Sequence, residues 1–334
     1  METTTLHPDL PLASRIGLGT WAIGGLEWGG TDERRSIDTI LSALDRGITL
    51  IDTAPIYGKG RSEEIVGRAI QEYGRRENVL LATKGGLDWT YAPGDVVANA
   101  TPDRIRTEVA DSLARLQTDY IDLYQIHWPD PLTPVEETAA VLRDLYDDGV
   151  IRAIGVSNFS PAQMEAFQET APLHTNQPPY NLFERVIEED VLPYCQQHSV
   201  KLVTYSALCR GLLTGKMTPD YTFADDDLRT TADPKFQPPR FAQYIDAVNR
   251  LDRFAQANYG KRVIHLAARW ILDQGVDVAL WGARTPEQLD PTDALDGWTL
   301  DADAKAHIDR ILDDAIDDPV APTFMRPSTR EAVV

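Results

Sequence analysis

The feature that most constrains this chain is a rhythm. From about residue 15 onward, short apolar runs rich in β-branched residues alternate with longer segments of helical period. Such alternation is the pattern of repeated βα units and a parallel sheet. Candidate strands end near Gly19, Asp52, Thr83, His127, Ser157, Gln177, Tyr205 and Trp281. Strands each followed by helical sequence, eight times over, fit a closed (β/α)8 barrel better than an open sheet. Between Asp32 and Arg46, Ile37, Ile40, Leu41 and Leu44 fall on one helical face, which is therefore core. Thr101-Pro102, Thr133-Pro134, Ser160-Pro161 and Thr285-Pro286 each set a hydroxyl at an N-cap and proline at the first helical position. Glu136, Gln163 and Gln288 complete capping boxes three residues on.

A chain of 334 residues suits one such barrel, so the expectation is a single α/β domain over 1–334. Two stretches break the rhythm: Trp89 to Ala100, and residues 208–239, which are rich in Pro, Asp and Thr. Long loops inside compact domains are usually functional, so 208–239 is expected to cover a cofactor or substrate. An extra helix is expected near Asp301 to Asp317, with Ile308, Ile311, Leu312 and Ala315 on one stripe across the barrel's outside. The tail 318–334 then reaches toward the substrate mouth.

The formal charge of -20 argues against nonspecific attraction to nucleic acid or anionic membrane, both of which need a positive surface. No apolar run approaches the roughly 20 residues that span a bilayer. Cys195 and Cys209 lack a CxxC spacing and no secretory segment precedes them, so a reducing cytoplasm is the expected location. His7, His127, His174, His198, His265 and His307 are scattered without an HExxH pairing, and no metal site is expected.

Gly17-Leu18-Gly19-Thr20-Trp21-Ala22 matches the GxGxxG/A dinucleotide string, but a Rossmann site needs a helix opening at those glycines. No helix signal appears until Thr31, so Gly17 and Gly19 are expected to shape the first strand and its exit. The stronger signal is positional: polar residues recur at the C-terminal ends of successive strands, where barrel enzymes place their active sites. Asp52 closes the second strand with Tyr57 in the following loop, Lys84 follows the third, and His127 ends the fourth. A buried Lys and Asp from neighbouring strands would be costly unless paired. A free phenol with pKa about 10 is a poor proton shuttle near neutrality, and an adjacent ammonium stabilises its phenolate. Lys84 is thus expected to tune Tyr57, Asp52 to hold Lys84, and His127 to orient a substrate oxygen. Read singly, each has a structural alternative: loop cap, rim aromatic, snorkelling lysine or core imidazole. Complementary groups at consecutive strand ends are hard to attribute to packing.

Ile51-Asp52-Thr53-Ala54-Pro55-Ile56-Tyr57-Gly58, Thr83-Lys84, Gln125-Ile126-His127-Trp128-Pro129 and Gly155-Val156-Ser157-Asn158-Phe159 together resemble the aldo-keto reductase superfamily. The resemblance runs nearly end to end. It implies a TIM barrel that binds NADPH without a Rossmann domain, with Asp52, Tyr57, Lys84 and His127 as the catalytic set. It also implies that Ser157, Asn158 and Gln177 hold the nicotinamide carboxamide and that Tyr205 stacks on the ring. Ser206, Leu208, Gly211 and Lys216 would cover the pyrophosphate, with Thr20 and Trp21 as further cofactor contacts at the first strand's exit. Gly282, Arg284 and Gln288 form the last motif, where a helix N-terminus and a guanidinium favour a 2′-phosphate. Pro291 and Thr292 stand where family members often carry Glu-Asn, which leaves room for NADH. Trp21, Trp28, Trp89 and Trp128 are candidates for the wall of an apolar substrate pocket. The implied function is reduction of an aldehyde, ketone or small sugar carbonyl with Tyr57 as proton donor. Similarity to potassium-channel β-subunit relatives supplies the alternative, an NADP(H)-binding redox-sensing subunit with slow turnover. A protein partner is not indicated by the sequence.

Overall fold

The computed structural model describes every residue except Glu27, Ala92, Pro93, Asp226 and Val334. Its centre is a closed barrel of eight parallel strands. In chain order they are β1 (Ile16–Gly19), β2 (Leu50–Asp52), β3 (Leu80–Gly85) and β4 (Leu123–Ile126). They continue as β5 (Ile154–Ser157), β6 (Thr175–Gln177), β7 (Lys201–Thr204) and β8 (Val278–Gly282), and β8 closes onto β1. The expected strand ends hold to within two residues. β3 and β8 run on to Gly85 and Gly282, while β4 and β7 stop one residue short of His127 and Tyr205.

The helix after β1, Glu33–Asp45, is capped by Asp32, whose side chain accepts from the Arg35 amide, and its Ile37, Ile40 and Leu44 face the core. Of the expected capping boxes, that of Ser160 and Gln163 forms. Thr101 shows no side-chain cap bond, and Thr133 turns its hydroxyl to Asp130, which makes Pro134 the N-cap. Gln288 does not close a box either: its Oε1 accepts from the Arg284 amide at 2.7 Å. That segment, Pro286–Ala294, winds as a 3-10 helix with Pro291 inside it. Proline has no N–H to donate and its ring crowds the carbonyl one turn back, so an α-helix is disfavoured there.

Strand side chains alternate between faces, and in this barrel that alternation builds layers. Leu50, Leu80, Ala82, Leu123, Val203, Val278 and Leu280 form one buried cluster with Leu6, Leu10 and Ala13 of the N-terminal segment. That segment carries a short hairpin, Thr3–Thr4 against Ala13–Ser14, and Ser14 N donates to Thr49 Oγ1 beside the start of β2. The N-terminal mouth of the barrel is therefore closed with apolar side chains. Gly17 belongs to this interior: a Cβ there would lie 2.8 Å from both Leu280 and Leu50 side chains. The glycine-rich string at the first strand is thus explained by a filled barrel, not by a phosphate turn. Two residues beyond the apolar layer, at the opposite end, the same faces carry Asp52, Lys84 and Gln125.

The breaks in rhythm are structured. The first carries a hairpin, Leu87–Asp88 against Val97–Ala98; Ala92 and Pro93 lie outside the described residues. Residues 208–239 contain helical turns at Cys209–Thr214, Leu228–Thr231 and Pro234–Phe236, with Asp226 outside the described residues. The extra helix is Ala302–Ala315. In the tail, Phe324 lies against Arg210 and Lys235, Ser328 bridges to Val97, and Arg330 pairs with Asp130 at 3.1 Å. Among the described residues no helix is long and apolar enough to cross a membrane.

At the closed end, His174 accepts from Ile154 N at 2.9 Å through Nδ1 and packs against the His7 and Tyr146 rings. Burial, with His7 beside it, pushes its imidazole pKa down to about 4. Because this folded value lies below the ordinary one, stability present above pH about 6.5 drains away as pH falls toward 4, by up to about 3 kcal/mol. Denaturant melts at pH 7 and pH 4.5 should show His174→Asn losing less stability over that interval than the parent. Equal losses would assign acid sensitivity elsewhere.

Candidate active site

The barrel's C-terminal end is organised by one buried ion pair. Lys84 Nζ lies 2.6 Å from Asp52 Oδ1, and both side chains are almost completely shielded from solvent. Burying two charges costs several kcal/mol each unless their remaining hydrogen-bonding capacity is met. Here it is met. The ammonium has three protons, and it donates to Asp52 Oδ1, to the Thr53 carbonyl at 3.0 Å and to Tyr57 Oη at 3.3 Å. The other carboxylate oxygen, Asp52 Oδ2, accepts from Gln177 Nε2 at 2.8 Å and from Gln125 Nε2 at 3.4 Å.

Tyr57 lies in the turn between β2 and the helix Arg61–Tyr73. Its backbone is fixed by Tyr57 N donating to Ala54 O and by Ser62 N donating to Tyr57 O. A hydroxyl cluster of Thr20, Thr53 and Ser62 ties that turn to the exit of β1. Gly24 then brings the two loops into backbone contact: a Cβ there would stand 2.6 Å from the Tyr57 carbonyl carbon. Above this contact Trp21 stacks on Tyr57, with ring centroids 6.2 Å apart, and Trp28 meets Trp21 edge-on at 5.3 Å.

Burial, and then the Asp52 charge, hold the Tyr57 phenol well above the ordinary tyrosine value. Burial thus works against the lowering expected from the Lys84 ammonium. Lys84 is itself pulled below its usual range by burial, against the opposing pull of Asp52. At neutral pH Tyr57 is therefore a protonated phenol whose oxygen accepts from Lys84. Its own proton remains free for another acceptor. The His127 ring lies edge-on at 5.7 Å, and burial together with the Lys84 charge depresses its pKa well below 6.5. A neutral imidazole offers one N–H to the same space.

The side chains expected at a nicotinamide converge next to this centre. Asn158, in a left-handed conformation, donates through Nδ2 to His127 O and Ser157 Oγ and accepts from Tyr205 Oη at 2.9 Å. Ser157 Oγ donates to Gln177 O. Gln177 spends its Nε2 on Asp52 and Gln125, so its amide oxygen is the atom left for a carboxamide N–H. Ser206, Cys209 and Arg210 are also left-handed, which kinks the chain leaving β7 around Leu208 and Gly211. Lys216 is exposed, Gly282 opens onto space with nothing within 4 Å of a Cβ, and Arg284 gives two donors to backbone carbonyls rather than to a carboxylate. Neither Lys216 nor Arg284 forms a salt bridge among the described residues, although the Asp227 charge lies near enough to Arg284 to feel it, and such cations suit a dinucleotide phosphate.

Not every expected residue faces that cleft. The Thr20 hydroxyl is consumed by Ser62 and the Asp52 carbonyl, which makes it a strut. Trp89 lies under Arg104, 5.9 Å from its guanidinium, whereas Trp21 and Trp28 reach Tyr57 directly or in sequence. Trp128 is half-buried beside His127. Gln125 is the functional neighbour that the residue patterns had not singled out. Strand period two places it on the face of His127, and that was its available signal. The buried cluster of Glu184, Arg210, Asp233 and Lys235, joined at 2.6 to 3.2 Å apart from one shorter Arg210–Glu184 contact, braces the chain leaving β7. Its members are distant in sequence and leave no local mark.

The chain matches the model of the aldo/keto reductase family over residues 15–313. It is 61% identical to aldo-keto reductase YhdN of Bacillus subtilis over 334 residues, covering 100% of both chains. It is 40% identical to the NADH-specific methylglyoxal reductase of Escherichia coli over 306 residues, 87% of this chain and 92% of that one. Its structure is similar to that of a glycerol dehydrogenase from Gluconobacter oxydans, with a TM-score of 0.87 and 51% identity over 97% of this chain and 99% of that one.

The Gly24 contact can be tested directly. In Gly24→Ala the added methyl must displace the Tyr57 turn, and a misplacement of about 1 Å costs on the order of 100-fold in turnover. Carbonyl reduction should fall by that order while far-UV circular dichroism is unchanged. Parent-like turnover would show that the two loops do not need each other.

Proposed function

The chain belongs to the aldo/keto reductase family, and on that premise we propose that Tyr57 is the proton donor with which it reduces carbonyl substrates. It is an NAD(P)H-dependent oxidoreductase that converts carbonyls to alcohols. When bound, the nicotinamide supplies the hydride. The observation that carries the assignment of Tyr57 is that Lys84 donates to its oxygen while its pKa stays high. A carbonyl oxygen placed between Tyr57 and His127 accepts from the phenol and from the neutral imidazole. As negative charge grows on that oxygen, Tyr57 releases its proton to it, and the phenolate left behind is stabilised by the Lys84 ammonium. Asp52 keeps Lys84 charged and aimed. Trp21 and Trp28 form the apolar wall that excludes water.

The same reading gives Ser157, Asn158 and Gln177 the carboxamide, Tyr205 the nicotinamide face, and Leu208, Gly211 and Lys216 the pyrophosphate. Arg284 takes a 2′-phosphate, with Gln288 fastening its backbone. The cofactor is NADPH, with NADH as the alternative; the Escherichia coli relative is named as NADH-specific. Residues 208–239 act as the cofactor's cover and 318–334 as a lip of the substrate mouth. Small carbonyl compounds are the expected substrates, in keeping with relatives named for methylglyoxal and glycerol. The buried free thiols of Cys195 and Cys209 suit a reducing cytoplasm, and the net charge of -20 does not suit nucleic acid. The redox-sensing alternative is not favoured, because the relatives bear the names of reductases and a dehydrogenase.

A steady-state panel of simple aldehydes and ketones with NADPH and NADH tests the function, and Tyr57→Phe tests the assignment. General acid catalysis contributes about 100- to 10,000-fold, so kcat in the variant should fall within that range while the NADPH dissociation constant stays near the parent's. Undiminished turnover would remove Tyr57 from the chemistry.

A further inference from the structure

Arg284 is read above as the cofactor's phosphate ligand, yet its guanidinium is already engaged on another side. Nη1 donates to the Trp28 carbonyl at 2.6 Å and Nη2 donates to the Gly30 carbonyl. Both acceptors belong to the turn that follows β1. That turn is bonded to itself, with Trp28 N and Gly30 N donating to Gly25 O at 3.2 and 3.0 Å. Apart from Trp28 against Trp21, apolar packing does little to hold it in place: Leu26 is 52% exposed, and side chains added at Gly29 or Gly30 would meet nothing within 4 Å. Its ties to the barrel are polar. Arg284 grips two of its carbonyls, and Arg229 lies 5.2 Å over the Trp28 ring while donating to the Arg210 carbonyl.

The consequence reaches the reactive phenol. Trp28 meets Trp21 edge-on, and Trp21 stacks on Tyr57. A guanidinium has five N–H groups in a rigid fork, and two of Arg284's are spent on this turn. The remaining donors stay available for a phosphate, so the two attachments do not exclude each other. A lysine ammonium, one compact centre in place of a two-pronged fork, would reproduce this grip less well. We propose that Arg284 is a positioning residue for the carbonyl pocket: it latches the turn after β1 and thereby holds Trp28 and Trp21 against Tyr57, whichever nicotinamide cofactor is bound. The phosphate role and the effect on the carbonyl pocket rest on the function proposed above, whereas the grip on the turn does not and is read by hydrogen exchange alone.

The two halves separate when the cofactor lacks a 2′-phosphate. Arg284→Ala and Arg284→Lys would be compared with the parent in three measurements. These are NADPH and NADH affinity by fluorescence titration, methylglyoxal kinetics at saturating NADH, and amide hydrogen exchange of residues 25–31 in the free protein. Loss of two charge-assisted hydrogen bonds should raise the methylglyoxal KM with NADH about three- to tenfold in Arg284→Ala, leaving kcat within about twofold. Exchange at Trp28 and Gly30 should quicken in the free protein, and Arg284→Lys should shift both readouts less. Unchanged exchange and unchanged KM with NADH would overturn the latch, even if NADPH binding alone were weakened and the phosphate assignment upheld. Conversely, quickened exchange with NADPH and NADH affinities changed alike would keep the latch and remove the phosphate role. Exchange decides by itself if turnover with NADH is too slow to measure.

Discussion

The site depends on the contact between Asp52 and Lys84. A charge pair removed from water is tolerated only when every remaining donor and acceptor finds a partner, and this requirement dictates the surrounding residues. The three protons of Lys84 point at Asp52, Thr53 and Tyr57, and the second oxygen of Asp52 takes Gln125 and Gln177. Tyr57 is thereby one of the acceptors that make the buried ammonium possible. Its own proton is not spent on Lys84, which is what the proposed role as proton donor requires. The three hydrogen bonds that make the buried ammonium tolerable are the ones on which the proposed proton transfer rests.

The barrel supplies this contact by alternation. Residues two apart on a strand share a face, so the apolar layer of Leu50, Ala82 and Leu123 is followed at once by Asp52, Lys84 and Gln125. The N-terminal hairpin seals the far mouth, which leaves one end for polar chemistry. Outside the strands, precision comes from backbone proximity. Gly24 presses the β1 exit onto Tyr57, and the left-handed Asn158 turns its amide toward His127 and Tyr205.

Much of this was legible in the residues themselves. Strand number and the strand-end placement of Asp52, Lys84 and His127 follow from short β-branched runs alternating with helical segments, and eight such units favour closure without proving it. The pairing of Asp52 with Lys84 follows from the cost of burying charge. What the sequence did not show falls into physical kinds. The phenol's raised pKa depends on how far burial outweighs a neighbouring ammonium, which only packing decides. The capping boxes at Thr133 and Thr285 failed because Asp130 and the Arg284 backbone compete for the same side chains. The Glu184, Arg210, Asp233 and Lys235 cluster joins segments distant in sequence, and so does the approach of Arg104 to the Trp89 ring.

A double-mutant cycle of Asp52→Asn and Lys84→Met on reductive kcat/KM tests the central claim most directly. If the pair acts as one unit upon Tyr57, each single variant and the double variant should lose activity by about the same large factor, because residues of one unit are strongly non-additive. Losses that multiply across the two sites, or a double variant that reduces carbonyls at the parent's rate, would contradict it.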